Sequence, residues 1–260
     1  YKNVFLDNNK LTHIYWFWII ENKILKQNNI NNICEIGGGF GSFSELFLKN
    51  YNSKILLIDL PEANLMSAYY LKKKFPDKKF YLFDNYMQKK KLSKLDFENY
   101  DIIILPPNCN IDREIKIDFF INTRSMMEMN YETIKSYFNL IQQHSVDEGF
   151  FLNVNRYEKN TTGYPIRIAE YPYDDNWNVI ISEPSFNQNK IHFLLTQRTF
   201  KNSKKNIMEE LNNISKIGKK FYKSQKISNK VIKILFGVKI CKYIADFLSK
   251  ISNKLKNIEY

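Results

Sequence analysis

The chain has 260 residues, of which 44% are hydrophobic, a net charge of +12 and three cysteines. That is enough for one α/β domain with a sizeable core and a small appendage. Cys34, Cys109 and Cys241 lie far apart with no C-x-x-C pair, so neither zinc nor a disulfide framework is indicated and a reducing compartment fits. No apolar run reaches the roughly 18 residues of a membrane span.

The charge is unevenly placed. From Lys201 to Tyr260 there are 15 Lys and 4 acidic residues, which accounts for +11 of the total. The first 200 residues are therefore almost neutral, which argues against a nucleic-acid groove. The sequence starts at Tyr1 rather than Met and reads as a fragment; any signal peptide would lie before it.

Tyr1 to Asn29 carries the aromatic run Tyr15-Trp16-Phe17-Trp18, followed by Ile19 and Ile20. A helix leading into the first strand is expected. Either it simply packs on the sheet, or Tyr15 or Trp16 lines a ligand pocket. Ile33 to Ile36 has the size and flanks of a buried strand, and it ends in Gly37-Gly38-Gly39-Phe40-Gly41. A helical pattern follows with Phe43, Leu46 and Phe47 on one face. Ile55 to Ile58 then predicts a second strand, closed by Asp59. Strand, glycine turn, helix and strand make a βαβ unit that holds a nucleotide-like ligand at its first turn. Glycines admit φ > 0 and let a ligand lie against the main chain. The helix start offers unpaired N–H groups. Asp59, about 20 residues on, can accept both hydrogens of a ribose diol.

Past Leu60-Pro61-Glu62, a helix from about Ala63 to Phe75 is stopped by Pro76. Phe80 to Phe83, ending in Asp84, and Asp101 to Leu105, ending in Pro106-Pro107, are two strands that compete for the third position of the sheet. Either Asp84 or the pair Leu105 and Pro106 would meet a base there, and the second is preferred. Lys89-Lys90-Lys91 between them reads as a solvated face. Ile117 to Asn122 is the next strand, followed by Thr123 to Met129, a helix over 131–144 and a strand over 150–154. Strands alternating with helices predict a parallel sheet covered on both faces, with ligands at the carboxyl ends of its strands. Asp59, Leu105, the stretch Asn122 to Glu128 and Asn155 to Tyr157 fall at that edge. Thr161 to Trp177 reads as a loop over an acceptor site. Asn178 to Ile181 and Ile191 to Thr196 predict an antiparallel hairpin that closes the sheet.

Glu35-Ile36-Gly37-Gly38-Gly39-Phe40-Gly41 departs from the dinucleotide fingerprint, because Ser42 stands where that pattern needs glycine. It resembles motif I of the class I methyltransferases, which bind S-adenosylmethionine (SAM). Together with Asp59-Leu60-Pro61-Glu62, Leu105-Pro106-Pro107 and Phe120-Ile121-Asn122-Thr123-Arg124-Ser125-Met126-Met127-Glu128-Met129, it is similar to the sugar O-methyltransferases of natural-product and surface-glycan pathways. The resemblance covers roughly residues 15–199.

It implies a Rossmann-like class I methyltransferase fold: a mostly parallel seven-stranded sheet ending in the antiparallel hairpin, within residues 1–200. It also implies SAM as cofactor and a sugar or glycan precursor as acceptor. Cofactor-binding positions would be Glu35, Gly37, Gly38, Gly39, Gly41, Asp59, Leu60, Leu105, Pro106, Asn122 and Thr123. Glu128 and His192 are the candidate bases for a sugar hydroxyl, and no metal cluster is indicated. The competing readings are an NAD(P)-binding reductase and a methyltransferase-like domain without catalysis. Residues 201–260 form a basic tail with apolar residues at helical spacing, from Ile227 to Leu255. It would dock on anionic lipid at the inner, cytoplasmic face of a membrane, or pack on the core or a second subunit.

Overall fold

A computed structural model describes residues 7–160, 162–186, 188, 190–199 and 206–223. The chain divides into two compact units, 1–214 and 215–260. The apolar pattern from Ile227 to Leu255 lies outside the described residues, and in the second unit the described residues, 215–223, are helical. Among the described residues no helix is long and apolar enough to cross a membrane.

Asp7 opens the first helix, α1 (Asn8–Ile20), by accepting a 2.7 Å bond from the Lys10 N–H. Such a cap satisfies one of the donors a helix start leaves free. One π-helical turn, Glu21–Leu25, continues it. Trp16, Phe17, Ile19, Ile20, Ile24 and Leu25 are buried, and the Trp16 indole N–H donates to Ser185 Oγ at 3.2 Å. Trp16 therefore belongs to the core and not to a pocket wall.

The βαβ unit forms as expected: β1 (Asn32–Ile36), α2 (Ser44–Asn50) and β2 (Lys54–Ile58), with the strands parallel. Ile33, Cys34, Glu35 and Ile36 are all buried, as a strand covered on both faces requires. Phe47 of α2 packs edge-on against Phe17 at 5.0 Å and Phe43 at 5.5 Å. Next come α3 (Pro61–Lys74), β3 (Phe80–Tyr81), α4 (Phe83–Lys89), α5 (Lys94–Asn99) and β4 (Ile102–Leu105). The remaining elements are β5 (Ile117–Thr123), α6 (Tyr131–His144), β6 (Ser145–Arg156), β7 (Trp177–Pro184) and β8 (Ile191–Arg198).

The sheet has eight strands in the order β3-β4-β2-β1-β5-β6-β8-β7. This corrects the expected seven. The two candidates for the third position both join the sheet: β4 pairs with β2, and β3 lies outside it as a two-residue edge. The strand expected to reach Asp84 stops at Tyr81. Asn85 Oδ1 accepts from the Leu82 N–H at 2.9 Å and starts α4, so Asp84 sits in a helical first turn. β8 runs antiparallel to both β6 and β7, giving the closing hairpin. A helix over 207–223 follows; within the first unit its Ile207, Leu211 and Ile214 are buried.

Strand register makes the carboxyl edge flush. Leu105 pairs with Ile58, Ile58 with Ile36, Ile36 with Asn122 and Asn122 with Asn153. Everything that leaves those strand ends therefore meets along one line.

Candidate active site

Two cavities open along that edge. The larger, about 1200 Å³, is bordered by Gly37, Gly38 and Gly39 after β1, by Thr123, Arg124, Ser125 and Glu128 after β5, by Arg156 and Lys159 after β6, and by Lys10 and His13 from α1. The smaller, about 450 Å³, lies between Ile58, Leu105, Pro106 and Asn108 at the ends of β2 and β4 and Tyr137 of α6. Asp59 follows Ile58 directly.

The bend after β1 alternates hands: Gly37, Gly39 and Gly41 have φ of 72°, 55° and 75°. Their needs differ. A Cβ on Gly37 would lie 2.0 Å from Ser125 Oγ, whereas one on Gly39 would meet nothing within 4 Å. Gly37 makes room for a side chain of this protein, and Gly39 leaves bare backbone facing open space. Asp59 Oδ2 accepts from the Gly39 N–H at 2.7 Å, and Oδ1 accepts from the Leu60 N–H at 2.7 Å. The carboxylate is thus fixed beside the bend while part of it stays exposed. Leu60, 61% exposed, caps α3 and borders neither cavity.

Glu35 does not reach the cleft. It is 1% exposed beneath the bend, and its carboxylate accepts from Ser44 Oγ at 2.5 Å. Burial lifts it to about 7, against the pull of the Ser44 bond. Its contribution is to hold the start of α2 under the turn.

Asn122 is buried as well. Its amide donates to the Ile36 carbonyl at 2.9 Å and to Ser125 Oγ at 2.5 Å, and Ser125 Oγ donates to the same carbonyl at 3.1 Å. Asn155 donates to Asn122 Oδ1 at 2.7 Å and to Asn153 Oδ1 at 2.6 Å. Asn153 in turn donates to the Tyr173 hydroxyl at 3.1 Å. This buried amide chain ties β6 to β5 and, through Ser125, to the glycine bend. Each member is satisfied, which is the condition for keeping polar groups in a core. Arg124 sits between Thr123 and Ser125 at φ 60°, a left-handed conformation that an arginine adopts only when its surroundings impose it. Its guanidinium donates to Asn9 Oδ1 at 3.1 Å and lies 5.8 Å from the Trp16 ring centroid.

The two expected bases part company. Glu128 stands on the cleft wall, 40% exposed and ion-paired with Lys159. His192 is fully buried in β8; Nε2 meets Ser182 Oγ at 2.8 Å and Nδ1 meets the Tyr157 hydroxyl at 3.1 Å. His192 is therefore a core histidine, and its assignment as a base is corrected. His144, at the end of α6, is also buried, with Nδ1 at 2.8 Å from the Ile115 carbonyl oxygen.

Three further features are not read from the sequence. His13 borders the cleft, with Nδ1 at 3.1 Å from Ser42 Oγ. Burial first and the nearby Arg124 second push it down to about 4, so it is neutral at pH 7. Its only sequence signal was a spacing of three from Lys10 on one helix. The segment over 162–176 does not border the cleft: Ile166, Ile168, Tyr171 and Tyr173 are buried, with Tyr173 edge-on to Phe138 at 4.8 Å. Gln188 and Lys190, between β7 and β8, stand there instead. Nor does the near-neutral balance of the first 200 residues hold locally. Lys10, Arg124, Arg156, Lys159 and Lys190 line the cleft against Asp7 and Glu128. Arg156 Nε and Gln188 Oε1 are buried without a hydrogen-bond partner among the described residues.

No family model matches the chain, and no curated protein matches it. Solved structures do resemble it. A methyltransferase from Pyrococcus furiosus is 11% identical, with 72% of this chain and 83% of that chain covered and a TM-score of 0.48. The pyocyanin biosynthetic protein PhzM is 8% identical over 74% of this chain, with a TM-score of 0.44; the chain spans 55% of PhzM's length. The glycopeptide N-methyltransferase MtfA, complexed with SAM, is 9% identical over 67% of this chain and 84% of that chain, with a TM-score of 0.40. What is shared at such identities is the course of the chain alone.

Proposed function

We propose that this protein is a SAM-dependent O-methyltransferase acting on a sugar hydroxyl. The observation that carries the reading is the Asp59 carboxylate fixed against the N–H of Gly39, at the one glycine of the bend whose missing side chain leaves open space. A carboxylate beside bare backbone suits a ribose diol, and the adjoining cavity walled by Leu105, Pro106 and Tyr137 suits a flat base. SAM, when bound, supplies a methyl group already activated on a sulfonium. What remains for the chain is to hold an acceptor oxygen in line and remove its proton. Glu128 is the carboxylate on the cleft wall that takes that proton, and Lys159 orients it. Glu35 and Asn122 act one layer below, as supports of the bend.

The test is titration calorimetry with SAM and with NADH on the wild type and on Asp59→Ala. The reading expects heat with SAM, none with NADH, and a loss of about 100-fold or more in SAM affinity in the variant, the scale of losing charge-assisted bonds to two hydroxyls. Equal SAM affinity in both proteins overturns it. A reductase would instead bind NADH.

A further inference from the structure

We propose that the far half of the cleft binds a phosphate group, so that the acceptor is a phosphorylated sugar and not a neutral glycoside; this rests on the methyltransferase reading above. Arg124 leaves the end of β5, Arg156 the end of β6, and Lys190 immediately precedes β8. These three strands are neighbours in the sheet. Adjacent strands lie about 4.8 Å apart, so the three cations follow one another along a single line beyond the glycine bend. None of the three is ion-paired with a carboxylate among the described residues. The acids nearest to them in the chain are engaged elsewhere: Glu158 pairs with Arg167 and Glu128 with Lys159.

The donor matches little of this charge. A SAM molecule carries one carboxylate, one ammonium and one sulfonium, hence a net positive charge, and repels such a surface overall. The one SAM carboxylate matches at most one of the cations lining the cleft, and the others are left for the second substrate. Several cations along one cleft wall suit a phosphate or pyrophosphate better than a single carboxylate, and arginine's planar fork matches two phosphate oxygens at once. The orphaned atoms agree. Arg156 Nε is a buried donor in want of an acceptor, and Gln188 Oε1 is a buried acceptor that a sugar hydroxyl can satisfy. The left-handed backbone at Arg124 has the same sense: a strained residue held in place points to a group kept ready for a ligand. His13, kept neutral by burial and by Arg124, adds no competing charge.

The full chain is titrated with glucose 1-phosphate, uridine diphosphate glucose, methyl α-glucoside, and phosphatidylcholine vesicles with and without a polyprenyl phosphate. Phosphorylated probes are expected to bind at least about tenfold more tightly than the neutral glucoside. Binding to the soluble sugar phosphates assigns a free glycosyl phosphate. Binding only to vesicles that carry the polyprenyl phosphate, weakened by Arg156→Gln, assigns a lipid-linked one, whereas vesicle binding through the basic tail is indifferent to that substitution. Arg156→Gln and, as a variant that disturbs no core contact, Lys190→Gln should each lose about tenfold for the phosphorylated probes while SAM affinity is unchanged. Equal binding of glucoside and phosphates, or phosphate affinity indifferent to both substitutions, overturns the proposal. Loss of the SAM reading with phosphate binding intact would leave this site standing with a different chemistry.

Discussion

The two sides of the cleft are built from different materials. On the β1–β2 side the backbone does most of the positioning. Three left-handed glycines shape the bend, and one carboxylate is tied to main-chain N–H groups within a stretch of about 25 residues. On the β5–β6–β8 side the contacts are between side chains far apart in sequence. Asn155 reaches Asn122 across 33 positions, and Arg124 meets Asn9 across 115. A local, backbone-built half tolerates little variation in residue type. A half assembled from distant side chains can be retuned for different acceptors without disturbing its neighbour.

Six substitutions test that contrast, beginning with the largest effect. If chemistry resides on the β5 side, Glu128→Gln should lower kcat by about 10²- to 10⁴-fold with SAM affinity intact. His192→Gln, in the core, should leave kcat near wild type and register in thermal unfolding instead. Equal losses in kcat would erase the distinction drawn between them.

Within the bend, Gly37→Ala should cost about 2–4 kcal/mol in urea unfolding, because a Cβ there collides with Ser125 and the backbone is left-handed. Gly39→Ala meets no atom and should cost only about 1 kcal/mol, yet weaken SAM. The reverse ranking would mean that the open glycine is not where a ligand lies.

The smallest effect is in pH. Glu35 is raised from its ordinary 4.5 to about 7, so the folded state holds an extra proton between those values and stability falls as pH rises. His13 is lowered from 6.5 to about 4, so the unfolded state holds the extra proton and stability rises with pH across that window. The two slopes oppose each other in the wild type. Glu35→Gln should expose the rising slope and His13→Gln the falling one, each by about 1–2 kcal/mol over pH 4.5–6.5. Parallel profiles from chemical denaturation would show that the two groups do not hold these opposite protonation states.

The same contrast explains what could be read in advance. The βαβ unit was legible because glycine spacing and a short apolar run ending in Asp59 are local signals with a physical meaning. The mostly parallel sheet, its closing hairpin and the preference for the strand ending at Leu105 over the one ending at Asp84 at the third position followed from strand and helix patterns, whereas the eighth strand did not. His13 and Lys190 were not legible, since only the folded sheet edge brings an α1 side chain and a β7–β8 turn to one cleft. His192 misled because its place on a strand near that edge says nothing of which face it takes; Tyr157 and Ser182 claim it from within. The segment over 162–176, rich in Tyr and Pro, looked like a cover over the acceptor, but its rings found a better place against Phe138 and Phe151.

The seam between Ser125, Asn122 and the Ile36 carbonyl has a consequence for anyone who would re-engineer this protein. Asn122, Ser125 and Asn155 are interlocked, so changing one alone strands the others as unsatisfied groups, while a concerted apolar replacement need not. These positions should therefore tolerate exchange as a block and resist it singly. A transplant of a foreign loop after β5 would have to bring its own hydroxyl to Gly37, or leave a void at the hinge of the bend.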